Sequence, residues 1–212
     1  MLQDTAPGAA GASSASSADR GSWLRATWPL LIVIVVALVA PGVGVVWHVF
    51  APPKNYAPDF TLVDQDARPF TLSAQRGHPM VLFFGYTHCP DACPLTLAHL
   101  ARALRSTEVP RDARVAFITV DPFRDTPAAM KRYVDIYRLN FIGLTGSLSA
   151  LQPVYDAYHT WRQAVPATHG PSNYSMAHGT AIYYIGRDGS LKGFGNWDDP
   201  ISSIVHDLKE FQ

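Results

Sequence analysis

Val81-Leu-Phe-Phe-Gly-Tyr-Thr-His-Cys-Pro-Asp-Ala-Cys-Pro94 joins a nearly continuous apolar run to the start of an amphipathic segment, and the fold follows from that junction. Residues 81–86 lack polar alternation, which suits a central strand buried on both faces. Downstream, Leu97, Leu100, Ala101 and Leu104 recur at helical spacing and predict a helix over 95–104. Residues 115–120 repeat the buried-strand pattern. Thr126 followed by Pro127 has the form of an N-cap and first helical residue, which predicts a helix over 126–137. A third helix is expected over 149–158, with Pro153 in its first turns. Residues 60–64 and 69–72 flank a Gln65-Asp66 turn, and 181–185 and 191–194 flank Gly186-Arg-Asp-Gly189, so each pair reads as a hairpin. Residues 200–211 close the chain as a helix.

Strands alternating with helices imply a parallel sheet covered on both faces, and the closing hairpin makes the sheet mixed. The expected class is therefore α/β, close to a thioredoxin-like core with an extra N-terminal hairpin. This domain is expected to occupy residues 59–212. Upstream, no Lys, Arg, Asp or Glu occurs between Arg25 and Lys54. That stretch is long enough to cross a hydrocarbon core, and Trp23, Trp28 and Trp47 bracket it like interfacial aromatic rings. It predicts one transmembrane helix over 26–50. Arg20 and Arg25 precede the span, which assigns residues 1–25, rich in Ala, Ser and Gly, to a disordered cytoplasmic tail and the domain to the far side. Residues 51–58 carry three prolines and read as a stiff spacer. Lys+Arg and Asp+Glu are both 17, and no basic block is present, which argues against nucleic acid as a partner.

Cys89 and Cys93 are the chain's only cysteines, and both fall where a buried strand meets a helix. Thiolates are favoured at a helix N-terminus, so both are poised to react or to ligate. Dithiol oxidoreductases use two intervening residues. Here three intervene, and the wider loop lets both sulfurs face a shared metal. A third ligand is then needed, and thiolates with imidazole suit copper or zinc. A plain disulfide remains the alternative, although so short a loop removes little chain entropy. Of the eight histidines, His48 lies at the membrane edge, and His78, His99, His159, His169 and His206 read as solvated surface residues. His88 adjoins Cys89, but neighbours at a strand–helix junction point apart. His178 stands just before the strand at 181–185. In a thioredoxin-like core that loop passes over the start of the first helix, so His178 is the candidate third ligand. Asp91 reads as a first-turn carboxylate, Asp121 and Asp125 as strand-end and loop charges, and Tyr174 as a residue packed beside the site or in the core.

Four segments together resemble the Sco/SenC/PrrC family: residues 84–94, the run Phe117-Ile-Thr-Val-Asp-Pro-Phe-Arg-Asp-Thr-Pro127, the run Phe141-Ile-Gly-Leu-Thr-Gly146, and Tyr174-Ser-Met-Ala-His178. The resemblance spans roughly residues 56–212. It implies a copper metallochaperone that binds Cu(I) or Cu(II) through Cys89, Cys93 and His178 and assists assembly of the copper site of cytochrome c oxidase. The implied partners are the oxidase subunit carrying the dinuclear copper site and a thiol reductant or second copper chaperone. The implied location is the inner (cytoplasmic) membrane, single-pass, with the domain in the periplasm. The alternative activity is a membrane-anchored thiol-disulfide oxidoreductase that keeps the oxidase cysteines reduced through Cys89 and Cys93. The family usually has Asp-His-Ser around the ligand, whereas here the neighbours are Ala177 and Gly179.

Overall fold

The computed structural model describes residues 55–166 and 174–210. The expected tail and transmembrane helix lie outside the described residues, and no described helix is long and apolar enough to cross a membrane.

Nine strands and four α-helices are present among these residues. The strands are β1 (Thr61–Asp64), β2 (Pro69–Thr71), β3 (Met80–Gly85), β4 (Arg114–Thr119), β5 (Phe141–Thr145), β6 (Arg162–Pro166), β7 (Tyr174–His178), β8 (Ile182–Ile185) and β9 (Leu191–Gly195). The helices are α1 (Ala92–Leu104), α2 (Pro127–Val134), α3 (Leu148–Ala157) and α4 (Ile201–Glu210). Seven strands form one sheet in the order β2-β1-β5-β4-β3-β8-β9, and β6 with β7 forms a separate hairpin. The β3–β4 and β4–β5 pairs are parallel, while β8, β9, β1 and β2 join antiparallel. The mixed α/β sheet with its N-terminal hairpin is the expected one.

Strand β3 is central because nothing in it needs water. Val81, Leu82, Phe83 and Phe84 are wholly buried. Successive residues point to opposite faces of a sheet. Phe83 stacks on Phe117, which stacks in turn on Tyr133 next to the buried face of α2. Phe84, on the other face, meets Tyr155 of α3 and Tyr158 just beyond it. The sheet is thus covered on both sides, and α4 packs against α1.

Three features differ from the sequence expectation. Strand β5 enters the sheet between β1 and β4, although its Gly143 interrupts a short apolar run. That glycine has a packing reason: a Cβ there would lie 3.0 Å from the Met130 Cβ of α2. Second, residues 174–178 form a strand of their own, in which only Met176 is buried. Third, the end of the proline-rich spacer is docked. The Ala57 N–H donates to Gly189 O at 3.0 Å, and the Leu191 N–H to Asn55 O at 2.7 Å. The Pro58 carbonyl accepts from the Tyr158 hydroxyl.

Thr126 caps α2 as expected, accepting from the Ala129 N–H, with Pro127 in the first turn. Loss of such a cap costs about 1 kcal/mol. Thr126→Ala should therefore lower the unfolding free energy by that amount, read as a lower urea midpoint with an unchanged slope. An unchanged midpoint would show that the cap contributes nothing.

Candidate metal centre

The site is built on the C-terminal end of β3. The chain leaves the sheet at Gly85, turns through residues 86–91 and enters α1 at Ala92. Asp91 occupies the N-cap position without a side-chain cap bond and is exposed, in keeping with a solvated carboxylate. Cys89 is half-buried and Cys93 fully buried, and both thiols are free. The Cys93 N–H, aimed out of the first turn, donates to the Cys89 sulfur at 3.4 Å.

This geometry makes the two sulfurs unequal. The Cys89 thiol is lowered to about 5, chiefly by the hydrogen bond from the Cys93 thiol. Burial opposes this, the Cys93 and Asp91 backbone groups reinforce it, and His178 adds a smaller favourable contribution. Cys93 is pushed well up by the same shared hydrogen bond, then by burial and the neighbouring negative charge. Cys89 is the ready thiolate and Cys93 the retained thiol.

His178 ends β7 and closes on this pair. Its Nδ1 lies 2.7 Å from the Gly179 carbonyl oxygen, so that nitrogen carries a proton, and in the neutral ring the lone pair falls on Nε2. Nε2 sits 3.9 Å from the Cys93 sulfur. Two donors bound about 2.0 and 2.3 Å from one metal ion stand about 3.5–3.7 Å apart at tetrahedral to trigonal angles. The observed spacing is close to that of two ligands flanking one ion. The Tyr86 ring meets the imidazole edge-on at 5.9 Å and holds its plane. Among the described residues no three His, Cys, Asp or Glu side chains form a closed metal cage. Cys93 neighbours both Cys89 and His178, but the three donors do not converge on one point as they stand.

The other candidates separate from the sulfurs. The Nδ1 of His88 faces the Thr87 hydroxyl at 3.0 Å and Asp125 at 3.8 Å. His78 is not free in solvent: it pairs with Asp112 and Arg114 at the start of β4. His99 is half-buried, whereas His159 and His206 are exposed. His48 and His169 lie outside the described residues.

Asp121 and Asp125 do lie between the end of β4 and α2, but both are completely buried rather than solvated. The Asp125 carboxylate accepts from the Thr87 N–H (3.1 Å), the Thr87 hydroxyl (2.6 Å) and the Thr119 hydroxyl (2.6 Å). It thereby ties the cysteine loop to the end of β4. Burial raises its pKa, and the threonine hydrogen bonds oppose that rise. Asp121 pairs with Arg124 and accepts from the Tyr174 hydroxyl at 2.9 Å, which places Tyr174 beside the site rather than in an ordinary core contact. These residues are visible in the sequence as the run Asp121-Pro-Phe-Arg-Asp-Thr-Pro127, but proline and charge there mimic a surface turn.

In the reduced protein, alkylation should fall on Cys89 and stay fast as pH is lowered until about 5, where the thiolate protonates. An ordinary thiol would already lose reactivity below about 8.5. A midpoint near the ordinary value would contradict the coupled pair. Gly85→Ala supplies a second check, since its Cβ would lie 2.6 Å from the Phe117 ring and 2.8 Å from the Cys93 sulfur. Overpacking of that kind costs about 1–3 kcal/mol. The melting temperature should drop, and the Cys89 midpoint should rise as the Cys93 thiol is displaced.

Known proteins resemble this chain in sequence and fold. A protein of Stutzerimonas stutzeri named for copper binding is 40% identical over 144 residues, covering 67% of this chain and 70% of that protein. The copper-bound structure of Bradyrhizobium japonicum ScoI matches with a TM-score of 0.63 and 33% identity, over 74% of this chain and 99% of that one. BsSco, a member of the Sco family of cytochrome c oxidase assembly proteins in which a disulfide switch was identified, matches with a TM-score of 0.57. It is 25% identical, over 75% of this chain and 94% of its own. The SCO1/SenC family model matches residues 50–212, and the chain belongs to that family.

Proposed function

We propose that this chain is a copper metallochaperone that takes Cu(I) or Cu(II) as cargo on Cys89, Cys93 and His178 and assists assembly of the copper site of cytochrome c oxidase. The observation that carries this reading is the free Nε2 of His178 facing the Cys93 sulfur at 3.9 Å with Nδ1 pinned to a carbonyl. Two soft sulfurs and one imidazole suit copper. Three ligands leave one side open, so an acceptor's ligand can enter before a resident one leaves. The copper-bound relative and the oxidase-assembly relative support the same reading.

The inequality of the sulfurs favours a second reading, a thiol-disulfide oxidoreductase. The accessible Cys89 thiolate would attack a partner's disulfide, and Cys93 would then displace the mixed disulfide. The products are the partner's dithiol and a Cys89–Cys93 disulfide, which an external thiol reductant must reopen. The charge-free run before Lys54, with Arg20 and Arg25 ahead of it, supports a single-pass anchor in the inner membrane and a periplasmic domain. In that oxidising space the pair would need a reductant before loading, so a thiol reductant or a second copper chaperone is the proposed accessory partner.

The two readings part on His178. Copper titration of the reduced full chain in detergent should give one copper per chain, with His178→Ala weakening affinity at least about tenfold, as for loss of a ligand. If the variant binds as tightly as the parent but still reduces a disulfide substrate, the reductase reading takes over.

A further inference from the structure

The ligand histidine rides on a hairpin that the main sheet does not hold. Strands β6 and β7 pair only with each other, in the register Arg162↔His178 through Pro166↔Tyr174. No ladder hydrogen bond to the main sheet therefore sets how far His178 stands from the cysteines, and beyond the short peptide link to Ile182 of β8 that distance depends on side chains. Along β7, Tyr174, Met176 and His178 lie on one face, because strand residues alternate. Met176 is buried, so that face is turned inward.

The contacts that hold it converge on the loop after β4. The Arg124 Nη1 donates to the Tyr174 carbonyl at 3.0 Å, and its guanidinium lies 3.8 Å from the Tyr174 ring centroid. The same guanidinium sits 5.7 Å from the Tyr86 ring, which contacts His178 edge-on. The Arg124 Nε pairs with the fully buried Asp121, whose other oxygen accepts from the Tyr174 hydroxyl. From the hairpin's other strand, Arg162 Nε donates to the Val120 carbonyl at 2.5 Å. Arg124 Nη2, by contrast, is buried with no hydrogen-bond partner. A guanidinium placed only to neutralise Asp121 would turn two nitrogens onto that carboxylate. This one leaves a donor idle among the described residues and lies between two tyrosine rings, one on β7 and one beside the imidazole.

We propose that Arg124, braced by Asp121, is a positioning residue that latches β7 to the end of β4 and so holds His178 within reach of the sulfurs. The inference rests on the reading of His178 as a copper ligand. Arginine is required because a lysine ammonium offers neither the fork that reaches Asp121 and the Tyr174 carbonyl together nor the plane that stacks on tyrosine.

The test uses the full chain in detergent. Cu(I) affinity is measured by competition with a chromophoric chelator for the parent, Arg124→Ala, His178→Ala and the double variant, and amide exchange over 174–178 is measured on the metal-free proteins. Removing a group that orients a ligand typically weakens metal binding about 10–100-fold. Arg124→Ala should do so, should speed exchange over 174–178, and should add nothing once His178 is gone. A general loss of stability would instead weaken copper binding in both backgrounds, and such additivity overturns the latch. Parental affinity in Arg124→Ala beside a weakened His178→Ala overturns the latch alone. Parental affinity in His178→Ala overturns the ligand assignment and this role with it. Should Arg124→Ala fail to melt cooperatively, Arg124→Lys decides, with weakened binding expected and parental binding overturning the proposal.

Discussion

A carboxylate with no access to water organises this end of the molecule. Burying an unpaired charge is prohibitive, and the expense is offset only when the lone pairs are filled. Asp125 fills its own from Thr87 on the cysteine loop and Thr119 at the end of β4, while its carbonyl accepts from the Thr145 hydroxyl at the end of β5. Three segments distant in sequence are thus joined at one point just below the sulfurs. Because the alternative is an unsatisfied buried charge, the joint is stiff, and the cysteine loop inherits that stiffness. A loop held this way presents Cys89 and Cys93 in one arrangement and spends little freedom on ordering when a metal arrives.

How much of this was legible depended on whether burial left a periodic trace. Strand β3 and helix α1 were, because Val81–Phe84 is apolar without a break and Leu97, Leu100 and Leu104 repeat at helical spacing. Strand β5 was not, since Gly143, the residue that lets α2 approach, also breaks the strand's apolar run. The β6–β7 hairpin left no trace because Met176 is its one buried residue among the described positions. Asp121 and Asp125 misled for a different reason. The hydroxyls that satisfy their carboxylates stand at residues 87, 119 and 174, up to 53 residues away along the chain, and no local window of sequence shows them. His178 was found through the fold it belongs to, while the strand that carries it and the atoms that orient it came only from the structure.

The two proposed chemistries place different demands on the same geometry. Cargo binding wants both sulfurs as thiolates together with a neutral imidazole. Disulfide exchange wants one thiolate and one protonated partner. In the metal-free protein the Cys93 proton is shared toward Cys89, which stabilises the state suited to exchange. A cation held by Cys89 and Cys93 would displace that proton, so metal binding would release it. The hydrogen bond that makes Cys89 nucleophilic uses the same sulfurs that would hold the metal, so under the two proposed readings the activities would compete for one site.

The orientation of the imidazole carries the last step. A carboxylate next to the ligand, the residue type expected from the family resemblance, would accept the Nδ1 proton and raise the basicity of Nε2. Ala177 cannot do this, and the Gly179 carbonyl accepts instead. A neutral acceptor fixes the tautomer equally well but adds no negative charge, so the donor strength of His178 rests on where the ring is held more than on what polarises it. A side chain at Gly179 would meet nothing closer than 3.7 Å, so space does not demand the glycine. With no carboxylate among the imidazole's own neighbours, the proposed latch would position the ring from further back, from Asp121 and Arg124 through the tyrosines between them.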